Sequence, residues 1–191
     1  GSGAQQVATL PRGSVSGWIT PDTLLISSRE SLQAREQILS ALSLADGTRT
    51  ELARAERLRG QVLSPSGGWV VYYVTFDADP ARNGLWVVST DGQQKKQLSA
   101  DLFGSYQWRP CAARCVPDED RLVIVPMQID APLHRFVELD PASGETRPLT
   151  DPAVTPFKIA NGDWRISPDG RHAAYVERSD RNVWVIELPA R

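Results

Sequence analysis

Short apolar runs divided by turn residues fill the chain, and the clearest unit of that pattern is Trp164 to Pro189. It predicts three short strands. Ser167-Pro168-Asp169-Gly170 reads as a type I or II turn, because proline fixes φ at the second position and glycine follows where a positive φ costs little. Ala173 to Glu177 and Val183 to Leu188 alternate or run apolar on either side of the polar turn Arg178 to Asn182. A meander this small cannot bury its own faces, so it predicts neighbours of the same kind.

The neighbours are found by looking for self-similarity. Turn prolines ahead of an apolar strand fall at Pro21, Pro65, Pro110 and Pro168, at intervals of 44, 45 and 58 residues. The strands expected after them are Thr23 to Ser27, Trp69 to Phe76, Arg121 to Met127 and His172 to Glu177. Next come Ile38 to Leu44, Leu85 to Ser89, Arg135 to Leu139 and Val183 to Leu188. Three of these run into Asp46-Gly47, Asp91-Gly92 or Ser143-Gly144, each a tight-turn signal, and a further short strand marked by Leu52, Leu98 or Leu149 follows. Leu32, Arg35, Glu36 and Leu39 have some helical spacing within Ser31 to Ala41, but the repeat register sets a loop and a strand there.

The last repeat stops at Arg191 without its outer strand. Gln5-Gln6-Val7-Ala8-Thr9-Leu10 reads like Gln93-Gln94-Lys95-Lys96-Gln97-Leu98, and Leu10 precedes Pro21 by 11 residues where Leu98 precedes Pro110 by 12. The expected fold is therefore an all-β propeller of four-stranded antiparallel blades, closed by an N-terminal strand that completes the last blade. Its repeats span about 14–53, 58–99, 104–150 and 157–191 plus 4–12. Two connections are lengthened, at Cys111 to Asp120 and between Leu149 and Pro168, and such insertions map to surface loops.

Composition adds mainly exclusions. The 191 residues are 41% hydrophobic and 23% charged, which is ordinary globular material. A net charge of -2 argues against a nucleic-acid footprint. No apolar run approaches the roughly 20 residues of a membrane helix. Gly1-Ser2-Gly3 looks like a cloning scar, so a targeting segment is expected to lie outside this sequence.

Candidate chemistry is sparse. Cys111 and Cys115 lack the further ligands that structural zinc wants, so a local disulfide bracing the insertion is expected, with two free thiols as the alternative. His134 and His172 fall at loop or strand starts and read as surface or turn histidines. Gly13-Ser14-Val15-Ser16-Gly17 has valine where a hydrolase elbow needs its nucleophile, and no glycine-rich phosphate loop is present. Asp77-Ala78-Asp79 with Asn83 falls short of a calcium loop and reads as solvated. Trp86 and Trp184 recur at equivalent strand positions, which suggests core packing between blades. Trp18, Trp108 and Trp164 fall in innermost strands near a central channel, where core packing is again the reading and a ligand platform the alternative.

With Ile166-Ser167-Pro168-Asp169-Gly170, Leu63-Ser64-Pro65-Ser66-Gly67 and the endings Leu98-Ser99 and Leu149-Thr150, the chain resembles the TolB-like β-propeller repeats of bacteria over residues 4 to 191. That resemblance implies an extracytoplasmic propeller with a binding or scaffolding role, in a family whose rings usually have six or more blades. Four repeats would make either a small ring or a piece that pairs with a second copy, so a monomer or a homodimer is expected.

In a propeller, the loops entering each first strand and those joining second to third strands emerge on one face. Here that face carries Asp77, Asp79, Arg82, Phe103, Tyr106, His134, Phe157, Arg178, Asp180 and Arg181. Mixed aromatic and charged residues suit a protein or peptide surface. The resulting expectation is a binding or sensor module with no catalytic activity, cofactor or metal, and no contact with nucleic acid or the membrane interior. The alternatives are a propeller domain of a larger enzyme, like that of prolyl-oligopeptidase relatives, and a structural module that self-assembles.

Overall fold

A computed structural model describes residues 3–4, 6–100, 104–111, 115–126 and 131–190. They form four antiparallel sheets, each a meander of sequence neighbours. The first contains β1 (Ser14–Thr20), β2 (Thr23–Ser28), β3 (Gln37–Ser43) and β4 (Arg49–Ala55). The second contains β5 (Leu58–Leu63), β6 (Trp69–Val74), β7 (Gly84–Ser89) and β8 (Lys95–Ser99). The third contains β9 (Gly104–Trp108), β10 (Leu122–Pro126), β11 (Val137–Leu139) and β12 (Thr146–Pro148). The fourth has three strands, β13 (Ile159–Ile166), β14 (His172–Glu177) and β15 (Val183–Glu187).

The turns form where local chemistry favours them. Gly47, Gly92, Gly144 and Gly170 take φ of 74°, 75°, 79° and 72°. Beside them Asp46, Asp91, Asp140 and Asp169 each accept the backbone N–H two residues on, at 2.8–3.0 Å. This side-chain turn pre-forms each hairpin before any tertiary contact exists. The Asp46 carboxyl is held down at about 2, chiefly by a hydrogen bond from the Thr48 side chain, then by the Ser43 side chain and the Thr48 backbone. Within Ser31 to Ala41, residues 31–36 are a loop and residues 37–41 lie in β3, as the repeat register requires.

The chain divides into two compact units, one of residues up to Leu63 with Gly67–Gln97, the other of Ser64–Ser66 with Leu98 onward. Each has a core between the apolar faces of its sheets. In the first, Leu25 and Leu39 pack with Val70, Tyr72 and Val88. In the second, Val123, Phe136 and Leu149 pack with Phe157, Trp164 and Tyr175. Phe136 stacks on Phe157 at 5.1 Å and tilts against Trp164 at 4.9 Å, giving this core a rigid aromatic centre.

The expected closing strand is not seen among the described residues, which hold no strand ahead of Ser14 and leave β15 as an edge. Ala8 and Leu10 instead pack on Leu24, Ile26 and Leu42 of the first sheet. The Pro11 carbonyl accepts from Arg29 N–H at 3.0 Å, which turns the segment back onto its own sheet. Apolar cover for that sheet face is the physical reason.

Candidate functional site

In the second unit, three connections meet around an open cavity of about 680 Å³: those between β10 and β11, β12 and β13, and β14 and β15. Its size lies in the range of small-ligand sites. Phe157 and Tyr175 supply a buried aromatic base, and Trp184, 50% exposed, stands beside them. Trp184 is cross-strand partner to Tyr175, so both rings leave the same face of the fourth sheet. Asp180 holds the indole by accepting Nε1–H at 3.2 Å.

The charged groups at the rim are not equivalent. Both Glu177 oxygens accept from the backbone, Oε2 from Lys158 N–H at 3.0 Å and Oε1 from Arg178 N–H at 2.9 Å. Asp180 accepts Asn182 N–H at 2.9 Å as well as the indole, and stays below the ordinary carboxylate range mainly through that backbone bond. Lys158 Nζ donates to the Ala131 carbonyl at 2.9 Å and keeps two further protons. Arg178 has no acceptor for its guanidinium among the described residues. The rim therefore offers donors on Lys158 and Arg178 beside the two carboxylates of Glu177 and Asp180.

His134 lies behind this base and corrects the expectation of a surface histidine, being only 5% exposed. Its N–H donates to the Phe157 carbonyl at 2.8 Å, while its Nδ1 accepts Ile159 N–H at 3.0 Å. An accepting Nδ1 requires neutral imidazole, and burial, then Lys158, lowers the pKa in agreement. His134 ties the β10–β11 connection to the start of β13; it does not face a ligand.

Of the ten loop-face residues, the structure gathers Phe157, Arg178 and Asp180 around this cavity, with His134 beneath. Arg181 sits in the same turn at φ 60° but does not line the cavity, and Tyr106 is half-buried on β9. Phe103 falls outside the described residues. Asp77, Asp79 and Arg82 belong to the first unit. There the Asp77 side chain is 4% exposed, not solvated, with Arg82 3.5 Å from its Oδ1, and Asp79 caps the short 3-10 turn Pro80–Arg82. A guanidinium thus occupies the position a cation would need. No group of three or more metal-ligating side chains exists among the described residues.

The tryptophans divide too. Trp108 and Trp164 are core, at 7% and 2% exposure, but Trp18 is 60% exposed and corrects the core reading. Trp184 is the second correction. Its equivalent Trp86 is half-buried against the first unit's core and is capped by Lys95 at 5.4 Å, whereas among the described residues no outer strand covers Trp184. Lys158, Tyr175, Glu177 and Trp184 were thus missed as site residues. The one signal for them was the final repeat's lack of an outer strand.

Cys111 and Cys115 form a disulfide with Cα atoms 5.7 Å apart. Cys111 borders a second cavity of about 1000 Å³, where three of the lining arginines pair with lining carboxylates. Arg109 and Arg147 both reach Glu138 at 2.6 Å, and Arg121 meets Asp140 at 3.3 Å. Arg109 also donates to the carbonyls of Gly170, at 2.9 Å, and Pro189, at 2.6 Å. That arrangement is a clasp joining the end of β9 to Gly170 and Pro189.

No known family matches the sequence, and neither does any curated protein. Solved structures do match, and they show a propeller-type fold. An uncharacterized protein from Listeria monocytogenes EGD-e aligns with 96% of this chain at 11% identity and a TM-score of 0.58. An oligogalacturonate lyase from Vibrio parahaemolyticus aligns with 80% at 14% identity and a TM-score of 0.51. The chain spans 54% of the first structure and 40% of the second. The expectation of a chain without catalytic activity is corrected here, because the fold is shared with a lyase and gives no ground for denying an enzyme.

Proposed function

We propose that this chain is a ligand-binding module that takes a segment of protein or peptide in the cavity beside Trp184. The observation that carries the reading is a half-exposed indole, fixed by Asp180, between a buried aromatic base and two cations with unused donors. Rigid aromatic anchors with adjacent arginine are what protein-recognition sites favour. A peptide is preferred over a small molecule because Trp184 belongs to a strand that pairs with β14 alone among the described residues, so part of its backbone can bind another backbone.

The finer reading of the fold is that the four meanders are blades of a TolB-like propeller, supported by the Ser-Pro-Asp-Gly turn and the repeat of about 45 residues. The disulfide between Cys111 and Cys115 supports an extracytoplasmic location.

The test is selection of random dodecapeptides on the intact chain, with counter-selection on Trp184→Ala and Arg178→Glu variants. Recovery of peptides that lose at least tenfold in affinity on both variants is expected. Oligogalacturonate serves as the anionic-sugar control. Its binding at the same residues, with no peptide recovered, would overturn the reading and direct attention to catalysis.

A further inference from the structure

Pro132 and Leu133 line the cavity beside Trp184 from the β10–β11 connection, and Phe157 and Lys158 line it from the chain entering β13. Among the described residues, three hydrogen bonds tie these two segments together. His134 N–H donates to the Phe157 carbonyl at 2.8 Å, Lys158 Nζ to the Ala131 carbonyl at 2.9 Å, and Ile159 N–H to His134 Nδ1 at 3.0 Å. Only the last depends on a group that can change its charge near neutral pH. His134 is 5% exposed and Ile159 4%, so water has little access to replace that bond.

Protonation reverses the sense of the bond. Neutral imidazole accepts at Nδ1, whereas imidazolium donates from both ring nitrogens, so a proton there points at the Ile159 N–H. The buried amide then loses its acceptor and meets a second donor, which costs more than the bond itself contributes. The surrounding charges do not offset this. Lys158 on the β13 side and Arg178 in the turn after β14 are cations, and Glu177 at the end of β14 is the anion that faces them around the ring. Glu177 already accepts from the backbone N–H groups of Lys158 and Arg178, at 3.0 and 2.9 Å. A move toward imidazolium therefore withdraws it from the entry to β13 and from the turn that carries Asp180. Tyr175 packs on Phe157 at 5.1 Å, but burial pushes its phenol above the ordinary value, so it stays neutral over the same range. Arg135, next to His134 on its own connection, is exposed.

We propose that His134 is a pH-sensitive staple for the cavity: with the imidazole neutral, the Pro132–Leu133 wall is held to the Phe157 base, and protonation frees it, so that acid releases a bound peptide. The proposal rests on the reading of the Trp184 cavity as a peptide site and adds its regulation. His134 is a positioning residue, since it bonds the backbone behind the base. The sign follows from burial, which disfavours imidazolium and, with Lys158, holds the group below its ordinary value of about 6.5. Affinity is therefore full above about pH 6.5 and is lost as pH falls through the folded value. Linkage is reciprocal, so a peptide that prefers the neutral form tenfold lowers the His134 pKa by about 1.

The probe is the tightest selected dodecapeptide that lacks histidine, aspartate and glutamate, with both ends blocked so that its own charge stays constant. The His134 ring, the Leu133 and Ile159 amides and the Trp184 indole are followed by NMR from about pH 8 to about pH 4.5, without and with the peptide. In the free chain the two amides should follow the His134 ring with one midpoint. With peptide that midpoint should fall by about 1 pH unit or more, and affinity should drop at least about tenfold between about pH 7.5 and pH 4.5. His134→Asn, whose Oδ1 can accept the Ile159 N–H without titrating, should bind equally at both values. Should that variant not fold, the midpoint in the parent decides alone. Equal affinity of the parent at both values, or a His134 ring that titrates without moving the two amides, would overturn the staple and leave the peptide site standing. A loss in acid that His134→Asn shares would also overturn it, assigning the effect to Glu177 or Asp180. Absence of binding at every pH would overturn the peptide reading and this one with it.

Discussion

Replacing Arg109 with methionine tests whether the clasp of the second unit stabilises the fold through a coupled charge network. Arg109 is 2% exposed and bonds Glu138 Oε2 and two backbone carbonyls, on Gly170 and Pro189. Methionine fills a similar volume but leaves Glu138 Oε2 buried without that partner. Removing one member of a buried pair costs about 3–5 kcal/mol, because an uncompensated charge remains. Arg147, half exposed, still holds Glu138 Oε1 at 2.6 Å, which sets the expectation at the lower end, about 3 kcal/mol. For a chain of this length that is a fall in midpoint temperature of about 6–12 °C. The double variant Arg109→Met with Glu138→Met should recover to within about 1 kcal/mol of the parent, since an apolar pair leaves no buried charge. Acid provides a sign check. Burial pushes Glu138 up, but hydrogen bonds from Arg109 and Arg147 outweigh it and hold the carboxyl below its ordinary range. Its contribution is thus present above the unfolded pKa of about 4.3 and is lost as pH falls through the folded value, so the deficit of Arg109→Met should shrink in acid. The assay is urea and thermal unfolding by circular dichroism. A single-variant cost under about 1 kcal/mol, or a double-variant cost equal to the sum of the singles, would refute the reasoning.

His134 is neutral in the fold with a lowered pKa, so the unfolded state binds the extra proton first. Stability should hold above the unfolded value of about 6.5 and decline below it, and His134→Phe should flatten that decline in pH-dependent melts. Trp184→Ala should cost under about 1 kcal/mol because the ring is half exposed, while Trp164→Ala, in the core, should cost about 3–5 kcal/mol by the same unfolding assay. Gly67→Ala should be at least about 2 kcal/mol worse than Gly47→Ala, since both sit near φ 75° but only at Gly67 would a Cβ meet a backbone atom, the Ile19 carbonyl oxygen, at 2.7 Å.

Strand positions were legible because their determinants are local. Pro168 and Gly170 set a turn by their own dihedrals, and Asp46, Asp91 and Asp169 bond the backbone two residues away. Burial was legible only where each repeat has the same neighbours. Trp86 and Trp184 carry one sequence signal, yet Lys95 of β8 covers the first and among the described residues no strand covers the second. Gln5 to Leu10 reads as an outer strand, but Ala8 and Leu10 find apolar cover on the first sheet, a competition between partners that a repeat pattern does not encode. Half of the site followed from loop placement, as Phe157, Arg178 and Asp180 did. The position of Glu177 did not, because its bonds to the Lys158 and Arg178 backbone depend on the pairing of β13 with β14.

The central claim, a peptide site at Trp184, is tested most directly by amide and indole shift mapping of the labelled chain with the tightest selected dodecapeptide. The account predicts that the largest shifts fall on the Trp184 indole and on residues 131–134, 156–158 and 178–187. A map centred instead on the Arg109–Glu138 cavity, or on the first unit, would contradict it.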